Sequence, residues 1–145
     1  MNSALTVLGS VAGAAVTSVL QRRYGVTGVM ASSLVGLLGA GVGFLLPTAD
    51  LPAAVFAGSF VGMTAVTVAP LGPIALAGAV AGVLCAIVNA LNAFPGYGGK
   101  LGVAAFVSIA LVVWITGSLG VTSPVQDLPQ RISKAVIRNG GLLSH

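Results

Sequence analysis

Residues 51–94 read LPAAVFAGSFVGMTAVTVAPLGPIALAGAVAGVLCAIVNALNAF, a stretch from Leu51 to Phe94 without one charged side chain. It is far longer than the roughly 20 residues that carry a helix across a hydrocarbon layer. It must therefore hold two helices and a reversal. Ala69-Pro70-Leu71-Gly72-Pro73 places the reversal, because proline removes a backbone donor and biases its predecessor away from helix. Helices are expected at about 52–69 and 74–94. The first is short enough that a tilted or partly re-entrant course is allowed.

Outward from this stretch the pattern repeats. Phe94-Pro95-Gly96-Tyr97-Gly98-Gly99-Lys100 leads into an apolar run from Leu101 to Leu119. On the other side, Pro47-Thr48-Ala49-Asp50 follows a run from Val26 to Leu46, and Gln21-Arg22-Arg23-Tyr24 closes a first run that starts at Ser3. That first run has its arginines behind it and no basic residue ahead, the reverse of a secretory signal, so it reads as a retained span. The expected fold is all-α: an integral membrane helical bundle over residues 1–120, with transmembrane helices at about 3–20, 26–46, 52–69, 74–94 and 101–119.

Composition requires the same medium. Of 145 residues, 57% are hydrophobic and 6% charged, against about 25% charged in soluble domains, and the mean hydropathy is +1.08. So few ionic groups cannot keep this surface in water, and the lipid bilayer is the partner that covers it. The 21 glycines would weaken helices in water by about 1 kcal/mol each relative to alanine. In lipid the helix persists, because its backbone has no other hydrogen-bonding partner, and small residues let helices approach closely. The glycines show no collagen period, and the long unbroken runs are unlike the short alternating strands of a membrane barrel.

Residues 121–145 differ in character. Ser123-Pro124-Val125-Gln126 has the form of a capping box, and Asp127-Leu128-Pro129-Gln130 repeats it. A helix over 129–139 would put Ile132 and Val136 near one face and Arg131, Lys134 and Arg138 on another, the pattern of a basic amphipathic helix on a membrane surface. A solvated tail is the alternative.

The net charge of +4 and pI near 10.0 would raise nucleic acid as a partner of a soluble chain. Here the charges sit at the ends of hydrophobic runs, so they read as topology signals and no nucleic-acid partner is expected. With an odd number of spans, Arg22, Arg23 and the basic tail share one side, leaving Lys100 opposite with Asp50. The positive-inside rule then puts the N-terminus outside and the C-terminus in the cytoplasm. A bacterial-type plasma membrane is the expected location.

Small and weakly polar residues recur at helical spacing. Thr6, Ser10, Gly13, Thr17 and Gln21 form one stripe, and Ser32, Gly36, Gly39 and Gly43 another. Gly9/Gly13, Gly58/Gly62 and Gly78/Gly82 are Gly-x-x-x-Gly pairs, expected at helix contacts. Gly78, Gly82, Cys85, Asn89 and Asn92 share one face of the fourth span. Its amides must meet protein or a wet cavity, since an unpaired amide in hydrocarbon costs several kcal/mol.

No catalytic set, metal site or cofactor site is expected: one cysteine and His145 cannot supply a triad or a zinc cluster, and Cys85 has no partner for an intrachain disulfide. Gly-Tyr-Gly-Gly-Lys-Leu-Gly departs from a phosphate loop, because Leu101 follows the lysine where a hydroxyl residue belongs. Gly98, Gly99 and Lys100, at a helix start, are candidates to contact an anionic ligand or a lipid head group. The plainer reading is a hairpin with a snorkelling lysine. Asp50 is a candidate counter-charge for Lys100 or an N-terminal cap of the third helix, and Asn89 and Asn92 are the remaining candidate contacts. The expected role is that of a small multispan subunit, in a homo-oligomer or with other membrane subunits, that forms or supports a transport pathway. A purely structural subunit is the alternative.

The charge pattern generates a test in a Cys85→Ala background. A membrane-impermeant maleimide added to sealed vesicles should label Tyr24→Cys and Ser144→Cys from the same side and Gly98→Cys from the other. Labelling of the first two from opposite sides would rule out an odd number of crossings.

Overall fold

The computed structural model describes residues 3–45, 50–64, 68–92 and 99–120. Within them the chain forms α1 (Ser3–Tyr24), α2 (Gly28–Leu45), α3 (Asp50–Gly62), α4 (Leu71–Ala90) and α5 (Lys100–Ser118), with no strand among the described residues. Four of these helices, α1, α2, α4 and α5, are long and apolar enough to cross a membrane. The basic tail expected over 121–145 lies outside the described residues.

The uncharged stretch does divide into two helices, but not where its prolines suggested. α3 has only 13 residues, a length of about 20 Å at 1.5 Å per residue. It stops at Gly62, not near residue 69. The sequence beyond it, Thr64-Ala65-Val66-Thr67-Val68, is dominated by β-branched residues, which lose side-chain freedom in a helix. The end is a tight turn: the Thr64 amide donates to the Val61 carbonyl at 3.1 Å, and the Thr64 hydroxyl donates to the same oxygen at 2.7 Å. α4 then begins at Leu71, with Pro70 in extended conformation before it. Pro73 falls in the first turn, where its missing N–H would have had no intrahelical partner. The two prolines therefore launch α4.

The helix contacts fix direction. Gly9 of α1 faces Leu51 and Val55 of α3, Gly13 faces Val55 and Ser59, and Gly62 faces Ala14 and Thr17, so α1 and α3 run parallel. α2 runs against α3, with Gly36 on Phe56, Gly39 on Val55 and Gly43 on Pro52. α4 opposes α1, since Gly78 meets Ala14 and Val11 while Gly82 meets Val7 and Thr6. Ala104 of α5 clusters with Ala57 and Cys85, and Val112 with Ile74 and Ala77, so α5 opposes α4. The end of α1 that carries Arg22 and Arg23 is thus also the end where α3 and α5 finish and α4 starts. α3 is the hub, touching each of the other four helices.

The interior is built of small side chains. Ala14, Ala57, Ala77 and Ala81 are fully buried, as are Ser10, Thr17 and Ser59, while Leu37, Phe44, Phe106 and Trp114 point outward. Water would favour the opposite arrangement. Lipid solvates leucine as well as protein does, so helices gain by dispersion at close approach rather than by hiding bulk. The expected small-residue stripes and Gly-x-x-x-Gly pairs lie at these contacts. Several buried hydroxyls bond within their own helix, as Ser108 does to the Ala104 carbonyl at 2.6 Å and Thr116 to the Val112 carbonyl at 2.7 Å. Ser32 and Ser59 pair across α2 and α3 at 2.9 Å, whereas the Ser10 and Thr17 hydroxyls have no partner.

A methyl group at Gly58 would lie 2.8 Å from the Ser10 Cα and closer still to its carbonyl, whereas Gly41 has nothing within 4 Å. Gly58→Ala should lower the thermal midpoint in detergent by the equivalent of about 1–3 kcal/mol. Gly41→Ala should leave it unchanged or raise it slightly. Equal responses would mean that α1 and α3 do not meet at this glycine.

Candidate functional site

At the end of the bundle away from Arg22, three helix ends converge. Asp50 is the first residue of α3, where the helix dipole favours a negative charge. Asn89 lies in the last turn of α4 and Lys100 is the first residue of α5. The Asn89 amide nitrogen donates to the Asp50 carboxylate at 3.3 Å, and the Lys100 ammonium donates to the Asn89 amide oxygen at 3.5 Å. All three side chains are half-buried. The neutral amide offers its donor to the anion and its acceptor to the cation, which links the two charges without direct contact. In a low-dielectric setting such a charge-assisted chain is stronger than the same bonds in water.

Of the candidate contacts read from the sequence, Asp50, Asn89 and Lys100 are brought together, and Gly99 precedes α5 on an exposed turn. Gly98 lies outside the described residues. Asn92 does not join the cluster. α4 ends at Ala90, so the helical face drawn through Asn92 stops one turn earlier. Asn92 is exposed and has a left-handed backbone with φ of 47°, a conformation asparagine tolerates better than most residues. It terminates the helix.

Lys100 borders two spaces. One is a small crevice shared with Cys85, Val88, Asn89, Leu101 and Ala104. Adjoining it, and sharing Val88, Lys100 and Ala104 with it, is an open groove of about 590 Å³ between α4 and α5, lined also by Leu84, Gly99, Val103 and Val107. Cys85 is a buried free thiol. No group of residues able to hold a metal ion occurs among the described residues.

The opposite end of α3 has its own fastening. Gln21 donates its side-chain amide to the Gly62 carbonyl, the last residue of α3. Arg22 donates to the Ala69 carbonyl at 2.6 Å and to the Ser18 hydroxyl at 3.1 Å. The Gly62 carbonyl, released where α3 stops, needs a partner, and in lipid no water supplies one; Ala69 belongs to the link into α4. Sequence reading assigned Arg22 only to topology. The signal was present, since Gln21 and Arg22 follow the polar stripe of α1 and a 13-residue helix leaves carbonyls unmet, but the length of α3 was needed to see it.

Comparison of the chain with protein families, with curated proteins and with solved structures found no match in any of the three. The geometry of α3 and its two polar ends therefore carries the functional argument.

The neighbouring arginines provide the test. Arg22→Ala removes a charged partner from a backbone carbonyl and should destabilise by about 1.5–3 kcal/mol, read as a lower thermal midpoint in detergent. Arg23→Ala, equally exposed but at a side chain that makes no such bonds, should change it by less than about 0.5 kcal/mol. Equal losses would show that the clasp on the α3–α4 segment is not formed.

Proposed function

We propose that this chain is a small multispan membrane subunit that forms or supports a transport pathway within an oligomer or a larger membrane complex. The observation that carries the reading is the central position of α3, the one helix among the described residues too short to span, with polar side chains fastened to both of its ends. In transport folds, short or interrupted hydrophobic segments at the centre of a bundle are where substrates and ions pass. Non-helical backbone at membrane depth is tolerated only when protein or a wet cavity shelters it.

The interior of one copy is filled by alanine, glycine and serine side chains, so the pathway in this reading runs between copies or between subunits. Asp50, Asn89 and Lys100 supply its polar contacts at one mouth. By the positive-inside rule, the Arg22 end faces the cytoplasm, with the N-terminus outside, in a bacterial-type plasma membrane. The dry packing of the single copy favours one second reading, a subunit that only braces an assembly.

Proteoliposomes distinguish the two. With dyes for K⁺, H⁺ and Cl⁻ trapped inside, the reconstituted protein should pass at least one of these ions. Asn89→Ala and Lys100→Ala should abolish that flux while intact-complex mass in mild detergent stays unchanged. Loss of assembly in the variants, with no flux attributable to the native protein, would support the bracing role instead.

A further inference from the structure

We propose that the groove between α4 and α5 is a binding site for one anionic phospholipid, with its acyl chain along Leu84, Val88, Val103 and Val107 and its phosphate on Lys100. The lining is apolar throughout except at one end, where the ammonium stands. An amphiphile with a long apolar chain and a negative head matches that order of chemistry, and a bilayer supplies it in the right orientation. A zwitterionic lipid matches only the apolar part.

The dimensions agree. From Lys100 to Val107 the helix advances about 10 Å, which fits within a leaflet half as deep as the roughly 30 Å hydrocarbon core. The volume of about 590 Å³ lies in the range of sites that enclose a small-molecule ligand. Val103 and Val107 are 64% and 46% exposed, so the chain would cover surface that no part of the described protein covers.

Lys100 is free to serve this role. An ammonium has three donors, and Asn89 takes one of them. Asn89 borders the small crevice, not the groove. The Asp50 carboxylate accepts from Asn89 and does not line the groove, so the one acidic side chain among the described residues is held away from it. At the start of α5, Gly99 offers no side-chain cap, so first-turn amides are additional donors toward the head group.

This proposal is independent of whether the assembly conducts an ion. It is tested on the full chain, delipidated in mild detergent and titrated with phosphatidylglycerol or with phosphatidylcholine, with bound lipid counted by intact mass analysis. The native protein should retain one phosphatidylglycerol about five- to tenfold more tightly than phosphatidylcholine, the discrimination expected from about 1 kcal/mol for one basic residue at a membrane surface. Lys100→Gln should reduce the preference to less than twofold with the thermal midpoint held in phosphatidylcholine. Val103→Trp, at an exposed position that tolerates bulk, should fill the groove and weaken both lipids alike.

An unchanged preference in Lys100→Gln overturns the proposal, as does undiminished binding in Val103→Trp. Truncation after Gly120 removes the other basic cluster and should leave the preference intact. Its loss there would assign the anion to the tail and overturn the site. A change of oligomer mass in Val103→Trp without a change in bound lipid would make a second copy the occupant, which also overturns it.

Discussion

A carbonyl released by the end of a helix has no partner in hydrocarbon, and this constraint governs the position of α3. A helix of 13 residues is about 10 Å shorter than the apolar layer it lies in. At the lipid boundary its last carbonyls would be desolvated at several kcal/mol each. In the centre, touching all four longer helices, its last carbonyl meets Gln21 instead, and Arg22 holds the Ala69 carbonyl just ahead of α4. The shortness of α3 and its central place are thus one fact. A short helix survives at membrane depth because other helices enclose it, and they enclose it closely because Gly13 and Gly58 let α1 and α3 approach to backbone contact.

Much of this architecture is legible in the residues. Four spans are marked by unbroken apolar runs, and the helix-facing surfaces by Gly and Ser at spacings of three and four, because in lipid the interface is selected by size and not by hydrophobicity. The Gly36, Gly39 and Gly43 stripe meets α3 as its periodicity implies. What failed was the boundary between α3 and α4. Proline in sequence signals a break, yet Pro70 and Pro73 occupy helix-start positions, where proline is compatible with the first turn. The actual stop comes from β-branched residues after Gly62, a weak propensity signal that tertiary context can override in either direction. Helical spacing likewise carries on through any apolar run and gives no notice of where the helix ends, so the face drawn through Asn92 runs past the last residue of α4, Ala90.

The polar cluster was half legible. That Asp50 and Lys100 share an end follows from counting spans. That Asn89 stands between them does not, since it depends on how α3, α4 and α5 tilt against one another. The amide of Asn89 suits this place because it presents a donor and an acceptor on one planar group. A direct ion pair would require both charges to lose more water, and burial of a pair often returns little net stability. An intervening amide leaves Lys100 with donors to spare and open access to the groove, while Asp50 keeps its place at the positive end of α3.

The two ends of α3 are therefore fastened by different chemistry. At the Arg22 end the partners are backbone carbonyls, fixed in direction and unable to change charge. At the Lys100 end they are three side chains, two of them charged, joined by bonds of 3.3 and 3.5 Å that are long for charge-assisted contacts. The first fastening is geometric and resists motion. The second is electrostatic and responds to any charge brought beside it. Asn89 takes only one of the three ammonium donors, so a charge beside Lys100 adds to the cluster without displacing the amide.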